Sequence, residues 1–546
     1  MTSSVSPNRT TIRNFACHRG LAMMLAIVCA FSGCSLPQWA RNGFKVGPTY
    51  GEPVAAIADD WVDSNDPRVL DLPPACPDWW TVFQDPVVDE LVQIAYEQNL
   101  TLREAGMRVL QARAQRALIT GNLFPQEQAL FGSYSREQLS ENAGPALTPA
   151  PDFQRSFDDW LLGGNLSWEL DIWGRFRRSI ESADAGLDAS TREYDAILIS
   201  LIAEVVTAYV DIRTFQQRLQ YARKNIEIQE KSLKLSQARE EEGKTGKISV
   251  YLSESNLEAT KASLHPLRIG LRQANNRLCV LLGQPTLDLS QLLGDGGIPT
   301  APPEVAVGIP AELLRRRPDV RAAERRVAAQ SAQIGVALSD LYPSIAITGE
   351  IFVRAEEFQD LFKSLSNGGG VGPSFRWNVL NYGRIMNNVR IQDARFQELI
   401  LAYQNTVLDA NAEVENALVA FLQTQEQVKA LAASVQATQK ALELELLNFE
   451  EGESDFSGVF VLQGDLALKQ DELAATQGEV VAALVAIYKA LGGGWEIRCP
   501  ELQSPFPSVA GVSVDDHKPV ESNRTEAIAL FDAAFNRHRP DNVSEQ

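Results

Sequence analysis

From Arg384 to Glu451 the chain runs 68 residues without a glycine or a proline, and from Phe176 to Glu242 only Gly186 interrupts a second such stretch. At 1.5 Å per residue, a helix of that length extends about 100 Å, several times the width of a small domain. A globular core cannot enclose such a rod, so the rods have to project or bundle. Apolar residues step by three and four along the second one. Val407, Ala410, Val414, Ala417, Phe421, Val428, Leu431, Val435, Leu442 and Phe449 fill 10 of 13 heptad slots, which predicts a coiled-coil seam. Leu198, Leu201, Val205, Ala208, Ile212, Phe215, Leu219, Ala222, Ile226 and Leu233 form the same seam in the first rod.

The two seams lie a constant 209 residues apart, and the offset also relates Trp168 to Trp377, Gly174 to Gly383, Glu204 to Glu413, Gly243 to Gly452 and Gly283 to Gly492. Upstream, Arg103, Leu123 and Pro125 match Arg321, Leu341 and Pro343 at an offset of 218. The nine extra residues fall between Pro125 and Trp168. This is an internal duplication, which has to be recognised before a fold is named.

Between the helices of each half the period changes to two. Ile345, Ile347, Ile351 and Val353 oppose Ser344, Thr348, Glu350 and Arg354, and Val371, Pro373, Phe375, Trp377 and Val379 oppose Gly372, Ser374, Arg376 and Asn378. In the first half, Leu162, Leu166, Trp168 and Leu170 oppose Asn165, Ser167, Glu169 and Asp171. Four strands are predicted, near 126–137, 160–172, 344–354 and 370–381. Alternation over about ten residues with aromatics near the ends fits transmembrane β-barrel strands. Four strands cannot close a barrel, and open edges in lipid leave backbone groups unpaired, so subunits have to share one.

The N-terminus carries Arg9, Arg13 and Arg19, no acidic residue before Cys34, and an apolar run of 11 residues from Leu21 to Phe31. A membrane helix needs about 20. The run therefore reads as a secretory signal peptide, residues 1–33. Phe31-Ser32-Gly33-Cys34 resembles a bacterial lipobox, which implies a diacylglycerol and an N-acyl chain on Cys34; the alternative is an ordinary signal peptide with an unmodified cysteine nearby. Ser35, in place of Asp, permits passage to the outer membrane. The net charge is −20 and becomes −23 once three arginines are removed, so general attraction for nucleic acid is excluded. Cys34, Cys76, Cys279 and Cys499 are too scattered for a metal framework. Cys76 and Cys499 flank the main body and either pair in an oxidising periplasm or stay free. With only His18, His265, His517 and His538, a His-based triad or zinc cluster has little to work with. Gly243-Lys244-Thr245 lacks the preceding strand and glycine of a phosphate-binding loop and reads as a loop between helices. An enzyme is not expected, nor any cofactor beyond the lipid.

Longer stretches carry a family resemblance: "RVLQARAQ" at 108–115, "LLRRRPDVRAAERRVAAQSAQIGVA" at 313–337, "LYPSIAITG" at 341–349, "GPSFRWNVLNYGR" at 372–384 and "YKALGGGW" at 488–495. From about residue 46 to 496 the chain resembles the TolC-like outer-membrane factors, in their NodT lipoprotein branch. The resemblance implies a mainly α homotrimer with a shared 12-stranded β-barrel, four strands per subunit, continued by a long coiled-coil α-helical barrel. It implies an exit duct in the outer membrane that works with a periplasmic membrane-fusion adaptor and an inner-membrane RND-type pump. Two other readings stay open, an exit duct for ABC-driven type I protein secretion and a lipid-anchored coiled-coil scaffold. The expected layout is an anchored segment at 34–80, a first repeat at 81–290, a linker at 291–311, a second repeat at 312–495 and a polar tail at 496–546.

The turns after the rods are the candidate periplasmic tip. Glu450, Glu451, Glu453 and Asp455 would give a trimer a ring of 12 carboxylates, expected either to attract cations or to be a solvated acidic turn. Gly243, Lys244, Gly452 and Ser454 are candidate adaptor contacts. The gate aspartates of the TolC pattern align with Gly458 and Val461, so the usual latch is not expected. The arginines of 315–326 are expected on the helix surface around a Pro318 helix start, with ion pairing at a repeat or subunit junction as the alternative.

Overall fold

Both glycine-poor rods fold as unbroken helices in the computed structural model, which describes residues 36–72, 77–138, 156–294 and 296–498. The main elements are α1 (Pro86–Gln98), α2 (Leu100–Gly121), β1 (Glu127–Gln138), β2 (Ser156–Leu170), α3 (Arg175–Glu241), α4 (Lys247–Leu281), α5 (Pro318–Ser339), β3 (Ser344–Ala355), β4 (Asn367–Arg376), α6 (Arg384–Glu451) and α7 (Phe456–Ala490). Helices α3 and α6 have 67 and 68 residues. Each starts at a glycine with φ of 81°, Gly174 and Gly383, in the left-handed region that a side chain resists. At Gly174 an added Cβ would also lie 2.6 Å from Lys45, so this turn seats the N-terminal segment.

Helix α4 folds back on α3 and α7 on α6, giving two long hairpins; α7 packs on α3 and joins them, while α5 bridges α3 and α6. Seam residues Val205, Ala208, Ile212, Val414 and Phe421 are fully buried in a core that also takes in Trp79, Trp80 and Leu91. Each large side chain buried there contributes about 1.5–3 kcal/mol. Helix α7 is apolar enough by composition to cross a membrane, but most of its apolar window is buried in this bundle. Further along α6, Val428, Leu431 and Val435 are only half covered within one chain.

The duplication extends to its joints. Asn99 caps α2 by accepting from the Leu102 amide at 2.8 Å and donates to Leu281 O at 2.9 Å. At the matching place in the second half, Arg317 donates to Ala490 O at 2.9 Å, grips Asp319 through two nitrogens at 3.1 and 2.6 Å, and reaches Glu413 at 2.7 Å. Pro318 does open the helix with Asp319 in its first turn. Arg315 faces solvent, whereas Arg317 is only 7% exposed. The surface expectation is corrected for Arg317, because three acceptors converge on it.

The linker is strapped down. Val69–Leu70 pair in parallel with Val305–Ala306, and the buried Arg213 donates to Leu293 O at 2.6 Å and Gly294 O at 2.9 Å. Near the last described residue, Arg498 meets the fully buried Asp195 at 2.8 Å, with Arg192 at 3.4 Å. Burial pushes the Asp195 carboxyl up to about 6 although both guanidinium groups oppose the shift.

The four long strands form one antiparallel sheet in the order β1-β2-β3-β4, leaving β1 and β4 as edges. Two strands differ from expectation at both ends. Strand β2 begins at Ser156 rather than near 160 and ends at Leu170 rather than 172, and β4 covers 367–376 instead of 370–381. Gly368 to Gly370 pair as backbone with Phe352 to Glu350. Beyond Arg376 the ladder stops, because the Trp377 indole bonds to Leu341 O at 3.0 Å and the Val379 amide turns back to Trp377 O at 3.1 Å.

Candidate functional site: the sheet and the helical tip

Directly paired residues of an antiparallel sheet share a face. The register places Leu130, Leu166, Ile351 and Val371 on one face with Gly132, Gly164, Gly349 and Gly369. Leu130, Ile351 and Val371 are 91, 75 and 81% exposed. The opposite face carries Asn165, Ser167, Thr348 and Glu350. There Arg354 grips Asp159 at 2.7 and 2.9 Å, and Asn165 donates to Glu127 at 2.7 Å. An apolar face against a polar one, on strands of 10 to 15 residues, is the pattern of a barrel with lipid outside and water inside.

Aromatic rings mark both ends of the apolar face. At one end Trp160 packs on Tyr134 with centroids 4.3 Å apart and on Phe358 at 5.0 Å. At the other, Trp168 donates to Leu123 O at 3.1 Å, repeating the Trp377 to Leu341 bond of the second half, and Trp173 donates to Pro343 O at 2.9 Å while stacking on Tyr342. Trp160 and Trp168 are separated by about 26 Å of strand, or about 20 Å of height after tilting, close to the ~25 Å apolar band of outer-membrane barrels.

At the far end of the long helices, Gly452 ends α6 with φ of 84°, and the amides of Glu453 and Ser454 bond to Asn448 O at 2.8 and 3.3 Å. Glu450, Glu451, Glu453 and Asp455 are exposed, and Ser454 is half-buried. In the other turn Gly243 and Lys244 face solvent, and Lys244 pairs with Glu242 at 2.6 Å, holding that carboxyl below its usual range. Arg239 joins the two turns. Its guanidinium donates to Phe449 O and to Glu450 O, the latter at 3.1 Å, and lies 4.7 Å over the Phe449 ring. A cation at these carbonyls complements the negative end of the α6 dipole. Gly458 packs against Glu445, while Val461 is exposed.

Arg239 is absent from the candidates read from sequence; its only signal there is a basic residue in the last turn before the acidic Glu240, Glu241 and Glu242. Phe131 and Phe352, on the polar face of the sheet, are also absent from those candidates, since alternation alone does not show that they share a row. The expected acylation of Cys34 and the pairing of Cys76 with Cys499 lie outside the described residues.

The model of the family described as outer membrane efflux protein matches residues 91–284 and 309–493. The chain is 31% identical over 489 residues to the pyoverdine export outer membrane protein OpmQ of Pseudomonas putida, covering 87% of this chain and 98% of that one. It is 29% identical over 460 residues to nodulation protein T of Rhizobium leguminosarum, covering 83% and 95%. The solved outer-membrane channel OprN superposes with a TM-score of 0.75 at 30% identity, covering 83% of this chain and 99% of that one. The chain therefore belongs to the outer membrane efflux protein family and is a non-catalytic exit duct of the outer membrane.

Proposed function

We propose that three copies close a 12-stranded barrel, continued by an α-helical tunnel, and that this duct discharges small molecules or metal ions delivered by a periplasmic adaptor and an inner-membrane pump of the RND type. The sheet carries the reading: it has one lipid-like face, one wet face and two open edges at β1 and β4. Each backbone group left unpaired in lipid costs several kcal/mol, so another copy has to supply the partner for each edge. The half-covered Val428, Leu431 and Val435 on α6 support the same assembly, since a coiled-coil seam gains its energy only when covered.

Relatives named for pyoverdine export, toluene efflux and cation efflux support small solutes as cargo. The test is a deletion strain compared with its parent for accumulation of dyes, drugs and metal ions and for its secreted proteins. Raised accumulation with unchanged secretion is expected. A missing secreted protein with normal accumulation would replace this reading by type I protein export.

Two further parts belong to the proposal. Cys34 carries the lipid anchor, so labelled palmitate is incorporated by the wild type and lost in Cys34→Ser. The tip acts as a cation-attracting mouth and, with Gly243, Lys244, Gly452 and Ser454, as the adaptor contact. Replacing Glu450, Glu451, Glu453 and Asp455 by their amides should lower cation over anion selectivity in planar bilayers; unchanged selectivity would leave a merely solvated turn.

A further inference from the structure

One row of the sheet sets two aromatic rings on its wet face. Phe131 pairs with Gly163, Gly163 with Phe352, and Phe352 with Gly368, so the four residues run straight across the sheet as phenylalanine, glycine, phenylalanine, glycine. Both rings lean onto the neighbouring glycine. An added Cβ on Gly163 would lie 2.7 Å from the Phe131 ring tip and one on Gly368 would lie 2.6 Å from that of Phe352. Neither glycine position can hold a side chain without moving a ring. The adjoining rows carry no other aromatic ring: Ala129, Asn165, Glu350 and Gly370 line up in one direction, and Ser133 and Arg354 flank Leu161 in the other.

We infer that these rings form an aromatic girdle inside the barrel on which flat aromatic solutes stack as they leave. The inference rests on the trimeric duct proposed above. Closing the sheet with two more copies repeats the alternation around the wall and gives six rings in a belt. A 12-stranded barrel is about 24 Å across its backbone, too wide for the girdle to seal by excluding water. It is narrow enough for a drug-sized solute to touch the wall. Rings laid over glycines present their faces to the lumen, and an aromatic face prefers offset-stacked aromatic partners. Glu350 in the adjoining row favours solutes that also carry positive charge. Covering a glycine with a ring supports the strand pairing too, and that role alone would leave the passage of solutes unaffected.

The full chain in planar bilayers separates these roles, with ethidium as a flat aromatic cation and tetraethylammonium as a saturated cation of equal charge, each added from the barrel side. Ethidium should block the current at a concentration about fivefold or more below that of tetraethylammonium. The ratio should fall to about one in the Phe131→Ser, Phe352→Ser double variant and persist in the Phe131→Tyr, Phe352→Tyr variant, which keeps the rings. Wild-type current without a preference for ethidium, or a preference that survives in the serine variant, would overturn the girdle alone. Wild-type protein that carries no current would overturn the duct reading and the girdle with it. The current itself reports that each variant has folded.

Discussion

Two arginines hold the helices at opposite places, and each does so by reaching main-chain carbonyls at a helix C-terminus. Arg317 binds Ala490 O and two carboxylates; Arg239 binds Phe449 O and Glu450 O across the tip. Charged hydrogen bonds contribute about 1.5–3 kcal/mol when shielded, and less at the half-exposed Arg239. Arg239→Ala is expected to free the two tip turns and raise the open population of the channel by about fivefold or more, read as conductance in planar bilayers. Unchanged conductance would show that the link does not restrain the tip. Asp195 makes a pH-dependent prediction. Its folded value of about 6 exceeds the ordinary 3.8, so its contribution to stability is complete below the ordinary value and is lost as pH rises through about 6. Between pH 4 and 6 the wild type should lose stability relative to Asp195→Asn, measured by denaturant unfolding, with parallel curves above pH 7. Parallel curves throughout would mean that the carboxyl ionises normally.

At the scale of elements, the tryptophan bonds repeated in both halves tie each strand pair to the helix that precedes it. Trp168→Phe and Trp377→Phe keep the rings but remove the donors to Leu123 O and Leu341 O. Each should lower stability by about 1 kcal/mol, seen as a lower temperature at which a detergent-resistant assembly falls apart. The long helices were legible from sequence because the absence of glycine and proline is a local property, and α6 spans the interval expected. Strand β4 was legible only in part. Gly368 to Gly370 carry no side-chain pattern, and their pairing is set by β3 through the backbone. The candidate tip residues could be placed from sequence, but Arg239 could not, since its partners are carbonyls about 210 residues away. Phe131 and Phe352 escaped for a similar reason: alternation assigns a residue to a face, and only the register shows that both rings lie in one row.

For the whole molecule, the duplication was the feature of the sequence that reached furthest, because paired offsets of 209 and 218 relate residues that the structure puts in equivalent joints, Asn99 with Arg317 and Leu281 with Ala490. It leaves a sheet whose two outer strands have no neighbour among the described residues. This has a genetic consequence. If each copy completes the next, a subunit that pairs normally but blocks the passage spoils every assembly it enters. With equal amounts of sound and blocked subunits, roughly one trimer in eight would be wholly sound. An obstructing allele should therefore be dominant over the wild type in the same cell, whereas an allele that only fails to pair should be recessive.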